Sequence, residues 1–119
     1  MARFHDQRDE PELVAPFEVP GEDTVGFYDN SGVHPPVIVV TTRGLRFPGT
    51  PRVAPIDFRD ISHVGVPSDK VNGPFELSIR MQSGAMRVLP IAGVYGQFKD
   101  VYEFSRFLTR VSDDAQEVT

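Results

Sequence analysis

The clearest hairpin pattern of the chain is the stretch V-I-V-V-T-T-R-G-L-R-F, residues 37–47, in which a run of apolar residues is followed by a polar turn and a second apolar segment. Val37–Thr42 is rich in β-branched residues, and Arg43-Gly44 follows it at once, which is typical of a strand that ends in a tight hairpin turn. Gly44 is expected to supply the positive φ of that turn. With Thr42 opposite Leu45, the face predicted to point at the core holds Ile38, Val40, Thr42, Leu45 and Phe47. The other face holds Val37, Val39, Thr41 and Arg46.

A second hairpin is predicted over Phe75–Ile91, where apolar residues alternate with polar ones. Ser83-Gly84 is the predicted two-residue turn, with Gln82 opposite Ala85. In this register the core face pairs Met81 with Met86 and Ile79 with Val88. Arg80 then lies opposite Arg87 on the outer face.

The remaining pattern predicts three shorter strands, at Thr24–Tyr28, Arg52–Phe58 and Ser62–Val66, with a corner at Arg59-Asp60. Residues 97–112 have a helical repeat, with an apolar stripe of Val101, Phe104, Leu108 and Val111 and with Phe107 beside it. Seven strands followed by one helix predict a mainly β domain. The expected architecture is an antiparallel two-sheet sandwich or a partly open barrel, capped by the helix.

The ends of the chain differ from its body in charge. Residues 1–23 hold two Arg and seven acidic residues, and residues 100–119 hold two Arg and five acidic residues, whereas residues 24–99 hold eight basic and five acidic residues. We therefore predict an extended or disordered acidic lead-in over residues 1–20, a domain over 21–112 and a frayed acidic tail over 113–119.

Composition argues against several classes of protein. The chain has no Cys, so disulfides and thiolate chemistry are excluded. No apolar run has the length of a membrane span and no signal-peptide core is present, so the expected location is the cytoplasm. A net charge of −5 without a dense basic patch argues against a nucleic-acid partner. Ten Arg against two Lys is a composition typical of a GC-rich bacterial genome.

The order of these motifs resembles that of bacterial pleckstrin-homology-like domains. The resemblance rests on V-I-V-V-T-T-R-G-L-R-F, on P-I-D-F-R-D-I-S-H-V-G-V with its Asp60-Ile61 corner, on L-S-I-R-M-Q-S-G-A-M-R-V and on the final helix. It covers about residues 20–112, and P-G-E-D at residues 20–23 belongs to it. The resemblance implies a seven-stranded sandwich capped by the helix. It also implies binding of lipids, peptides or other proteins, or self-assembly, without a catalytic activity.

Phosphoinositide binding requires clustered basic residues near the loop after the first strand. That loop, residues 29–36, has no Lys or Arg, and the only lysines of the chain are Lys70 and Lys99. The sequence therefore argues against a phosphoinositide ligand.

Two groups of residues are candidates for binding a partner. Arg46, Arg80 and Arg87 are predicted on outer faces, where they could meet the carboxylates of a partner or an anionic lipid headgroup or small ligand. In domains that this chain resembles, a peptide can add as a strand between the helix and an edge strand, here Ser62–Val66. Tyr95 and Tyr102 would lie beside that groove.

The histidines do not form an evident catalytic site. His5, His34 and His63 are far apart in sequence, and Asp60 with His63 is the single Asp–His spacing that could serve an enzyme. We therefore expect no catalytic residue, metal or cofactor. The prediction is a non-enzymatic module that binds a protein or peptide partner or self-associates. The alternatives are a binder of an anionic lipid or small ligand and an enzyme at Asp60 and His63.

Overall fold

The computed structural model describes residues 4–65, 75–92 and 97–117, and for residues 75, 97–102, 116 and 117 it describes the backbone alone. The first antiparallel sheet has the order β1-β2-β3-β4-β5, formed by Phe4–Asp6, Thr24–Asp29, Val37–Thr41, Gly44–Arg46 and Ile56–Asp57. The second has the order β6-β7-β8, formed by Ile61–Gly65, Phe75–Met81 and Met86–Ile91. The predicted mainly β architecture is confirmed.

Two helices accompany the sheets in the described part of the chain. The short α1 is Pro11–Val14, and the long C-terminal α2 is Gln97–Glu117, so α2 includes residues 113–117, which the sequence predicted to fray. Single 3-10 turns occupy Ala15–Phe17 and Phe58–Asp60, and the second of them lies at the predicted corner at Arg59-Asp60. Within the described residues the two sheets are not joined into a closed barrel.

The main core lies between the two sheets and α2. Phe104 and Leu108 of the predicted helix stripe are fully buried, and Phe107 and Val111 are partly buried against the same cluster. Tyr28 meets Phe104 edge to face, with ring centroids 5.4 Å apart. Because the stripe of α2 is apolar and both sheets present apolar faces, the helix buries its stripe by packing on them.

Residues 4–17 form β1, α1 and a 3-10 turn in a region for which the sequence predicted extended or disordered chain. β1 pairs with β2, and Val14 of α1 is fully buried against Phe27 and Val39 in a second, smaller cluster. This segment covers the outer face of β2 and β3. The apolar residues of the segment gain enough burial there to offset the cost of ordering it.

The first predicted hairpin exists, but its register differs from the prediction by two residues. Val40 pairs with Leu45 and Val39 with Arg46, so the turn spans residues 41–44. A shift of two keeps the paired side chains on their predicted faces, and Ile38, Val40, Leu45 and Phe47 do lie in the main core. The prediction is wrong for the two threonines of the turn, since Thr42 is exposed and Thr41 is buried. Gly44 is not among the glycines with positive φ. Its lack of a side chain has another reason: a Cβ there would lie 2.1 Å from the carbonyl oxygen of Ile56.

The second predicted hairpin also exists, and its predicted register is wrong by one residue. Gly84 has φ +92°, and the amide of Met81 bonds to the carbonyl of Ala85 across a three-residue loop. A three-residue loop with a left-handed glycine is a common alternative to the two-residue turn. Ile79 therefore pairs with Arg87 and Arg80 with Met86. The odd shift turns β8 over, so that Leu89 and Ile91 are buried whereas Met86 and Val88 are exposed.

A buried asparagine ties the two sheets together. Asn30 is fully buried at the end of β2, donates from Nδ2 to the carbonyls of Pro35 and Pro90, and accepts at Oδ1 from the amide of Ala92. The hydroxyl of Tyr28 donates to the carbonyl of Ala92. These bonds satisfy backbone groups that would otherwise be buried without partners.

Candidate functional site

The three arginines predicted to face outward do not form one surface. Arg80 is exposed on the outer face of β7, and it does not lie opposite Arg87, because the hairpin register differs from the predicted one. Arg87 is half-buried and donates to the carbonyl of Ala54 at 2.8 Å. Arg46 lies on the other sheet, where its side chain is only 16% exposed and already has intramolecular partners.

The other candidates are only partly within the described structure. Tyr95 lies outside the described residues, and so does the side chain of Tyr102. β6 is an edge strand, and the carbonyl of its first residue, Ile61, accepts from Ser112 of α2. His63 is exposed, and no interaction joins it to Asp60 in the described structure. Across the described residues, no group of three or more metal-ligating side chains is present.

A polar network centres on Arg46. Its Nε and one terminal nitrogen donate to the two carboxylate oxygens of Glu22 at 3.1 and 2.9 Å, a bidentate geometry that is among the stronger ion pairs. The same terminal nitrogen lies 2.8 Å from Asp57 on β5. Arg46 therefore links the P-G-E-D segment before β2 to the far edge of the first sheet.

Partial burial makes this pair electrostatically strong. The hydrogen bonds from Arg46 hold the pKa of the Glu22 carboxyl below its ordinary value, although burial opposes that shift. Burial lowers the pKa of Arg46, but the hydrogen bonds to Glu22 and Asp57 outweigh it, and the pKa of Arg46 is raised. Both groups are therefore charged across the physiological range.

The hydroxyl of Thr41 holds the turn beside this network. It donates to Glu22 at 2.7 Å and accepts from the amides of Arg43 and Gly44, both at 3.1 Å. The carbonyl of Arg43 in turn accepts from the amide of Phe58 at 2.9 Å. The backbone of Arg43 is thus held on both sides, while its side chain is exposed.

Arg59 is placed by a buried neighbour. Phe58 is 5% exposed and meets Phe107 of α2 edge to face at 6.3 Å, which anchors the 3-10 turn of residues 58–60. Arg59, the next residue, is exposed to solvent. The packing of Phe58 therefore fixes the backbone from which the side chain of Arg59 extends into solvent.

These elements enclose a cleft of about 530 Å³, which we call the arginine cleft. Its lining residues come from the β3–β4 turn, β4, β5, the second 3-10 turn and the end of α2: Thr42, Arg43, Arg46, Asp57, Phe58, Arg59 and Ala115. Arg46 is neutralised by Glu22 and Asp57. Arg43 and Arg59 have no ion pair within the described part of the chain. The cleft thus combines two unpaired cations with an apolar surface.

Of the lining arginines, sequence reasoning selected only Arg46. The sequence pattern assigns Arg43 to a turn and Arg59 to a corner. It does not bring the two together, because their meeting depends on contacts between residues far apart in sequence. In the sequence pattern, Glu22 stands out only as part of the P-G-E-D segment. The one available signal was the occurrence of both arginines in turns beside apolar strands.

No protein-family model matches the chain, and no curated protein matches it in sequence. Among the described residues, no helix has the length and apolar character needed to cross a membrane.

Proposed function

We propose that this protein is a non-enzymatic interaction module of the pleckstrin-homology-like type, and that its arginine cleft binds an acidic segment of a protein or peptide partner. Within the described residues, seven strands and a C-terminal helix follow β1, in the order that the resemblance implies. This order supports the proposal of the family.

The observation that carries the binding proposal is the pair Arg43 and Arg59 at one cleft. Both side chains are exposed and form no salt bridge within the described residues, and the charge of Glu22 reaches Arg43 only as a weaker electrostatic interaction. Charged donors held on a rigid backbone bind carboxylates with little ordering cost. The carboxylates of a partner would form ion pairs with these two arginines.

The surface between the arginines favours a peptide over a small anion. Phe58 and Ala115 supply apolar lining beside the cations. A peptide with acidic and apolar side chains in alternation can use both features, whereas an isolated phosphate can use only the charges.

Fluorescence anisotropy of a labelled peptide with alternating Glu and Leu residues tests this proposal on the full chain. We expect binding that weakens with added salt, and a loss of about tenfold in affinity for each of Arg43→Glu and Arg59→Glu. Arg52→Glu is the matched control, since Arg52 is also exposed but does not line the cleft. A peptide with Gln in place of each Glu should not bind.

Two further probes separate the partner classes. Inositol hexakisphosphate and phosphatidylserine vesicles present dense negative charge without the apolar side chains of a peptide. If either binds through Arg43 and Arg59 while the acidic peptide does not, the peptide proposal is wrong and the anionic-ligand alternative takes its place.

A further inference from the structure

The outer surface of the second sheet differs from that of the first. The N-terminal segment covers the first sheet at Phe27 and Val39. On the second sheet, Met86 and Val88 are 54% and 56% exposed. We define the outer β7–β8 face by its six outward residues: Glu76, Ser78 and Arg80 of β7, and Met86, Val88 and Pro90 of β8.

The apolar part of this face is continuous. Val88 lies two residues from Met86 and from Pro90, so all three side chains share one side of β8. A row of exposed apolar side chains on a sheet is a feature of surfaces that bind another protein.

The charged part of the face has a symmetric arrangement. Glu76 and Arg80 lie at equal distances on either side of Ser78 along β7, and both are exposed without an ion pair in the described structure. Ser78 pairs with Val88, Glu76 with Pro90 and Arg80 with Met86. The centre of the face is thus Ser78 with Val88, with opposite charges at its two ends.

A two-fold axis at this centre makes the face complementary to itself. This axis lies in the plane between the second sheets of the two copies and runs perpendicular to their strands. Rotation about this axis places Arg80 of each copy against Glu76 of the other copy. Val88 then meets its own equivalent, and Met86 meets Pro90. An isologous contact requires this kind of self-complementarity.

We propose that the outer β7–β8 face is the interface of a symmetric homodimer in which the second sheets of two copies pack face to face. The occupant is a second copy of this chain, because the face offers both charges that its equivalent needs. The interface shares no residue with the arginine cleft, so this proposal does not depend on partner binding there.

The area of the outer β7–β8 face determines how tightly two copies are expected to bind. Three strands spaced about 4.8 Å apart, with about five residues each, give a contact of roughly 15 by 17 Å. Over both copies this is about 500 Å² of buried surface, well below the roughly 1,200 Å² at which stable interfaces begin, so we expect a weak dimer that forms only at high protein concentration. The measurement therefore requires a concentration series.

Sedimentation equilibrium of the full chain is the test, with the dimer as the expected species at high concentration. Val88→Glu should abolish it, because two like charges would meet at the axis. Leu13→Glu is the matched control: Leu13 is 49% exposed but lies on α1, over the other sheet. Circular dichroism and the unfolding midpoint of each variant show whether it remains folded.

A charge exchange makes the test specific for the two-fold arrangement. Glu76→Arg or Arg80→Glu alone should raise the dissociation constant by about tenfold or more, since like charges then face each other. The double variant Glu76→Arg/Arg80→Glu should restore association. Three results would each overturn the proposal: a monomer at all concentrations, a dimer that survives Val88→Glu, or a folded double variant without restored association.

Discussion

Arg46 illustrates how the role of a side chain depends on residues far from it in sequence. The hairpin pattern placed it on the face away from the core, and the structure adds that Glu22, which precedes β2, lies against that face. Because Arg46 already binds two carboxylates, it stabilises the fold and is not available to bind a ligand. The unpaired arginines of the cleft are its neighbours Arg43 and Arg59.

The link between Arg46 and Glu22 predicts a stability change that depends on pH. Glu22→Gln should lower the free energy of unfolding by about 1–2 kcal/mol at neutral pH, because the substitution removes one charge from a largely buried pair. The folded-state pKa of Glu22 is depressed, so its contribution is present above the unfolded-state pKa and is lost as pH falls through the folded-state pKa. The difference between the two proteins should therefore shrink in acid.

Urea unfolding of both proteins from neutral to acidic pH measures this difference. Asp57→Asn is the comparison, since the Asp57 side chain is 44% exposed and its pair with Arg46 should contribute less. A gap between wild type and Glu22→Gln that stays constant down to low pH would contradict the assignment.

The β7–β8 hairpin shows how a loop determines the face of an entire strand. A loop of three residues in place of two changed the pairing by one position and turned Leu89 and Ile91 toward the core. It exposed Met86 and Val88 and thereby created the outer β7–β8 face. The conformation of Gly84 is what permits this loop.

Substitution of Gly84 tests that explanation. Gly84→Ala should destabilise the protein by about 1–2 kcal/mol, because an L-residue is strained at the left-handed φ of this position. Gly84→Asn should cost less, since Asn tolerates that conformation better. Chemical unfolding of the three proteins measures the order, and equal losses for Ala and Asn would show that the strain at Gly84 is not the cause.

Across the molecule, the two sheets have different outer coverings. The N-terminal segment lies over the first sheet, with Val14 fully buried against Phe27 and Val39. No equivalent segment of the described chain covers Met86 and Val88 on the second sheet. Within the described residues, one outer face is thus covered by the chain itself, and the apolar residues of the other are exposed.

Two adjacent residues of α1 test whether the N-terminal segment is an integral part of the fold. Val14→Ser should cost about 2 kcal/mol or more in the free energy of unfolding, because it removes buried apolar volume and buries a hydroxyl. Leu13→Ser should change stability by less than about 0.5 kcal/mol, since Leu13 is half exposed. Thermal unfolding distinguishes the two, and an equal small effect at both positions would mean that the segment contributes little.

The sequence by itself determined the elements whose evidence is local. Both hairpins, the apolar face of Ile38 and Val40 and the buried stripe of α2 at Phe104 and Leu108 follow from periodicity, which records what each segment must bury. The proposed division into a body over residues 21–112 with flanking tails remains a prediction.

Only the tertiary structure decided what depends on distant contacts. The pairing of Glu22 with Arg46, the meeting of Arg43 and Arg59 at one cleft and the covering of the first sheet by α1 join residues well separated along the chain. Periodicity carries no information on such meetings, because it records which side of an element is buried and not what buries it. The face of β8 depended on one loop residue, since a shift of one position exchanges the two sides of a strand.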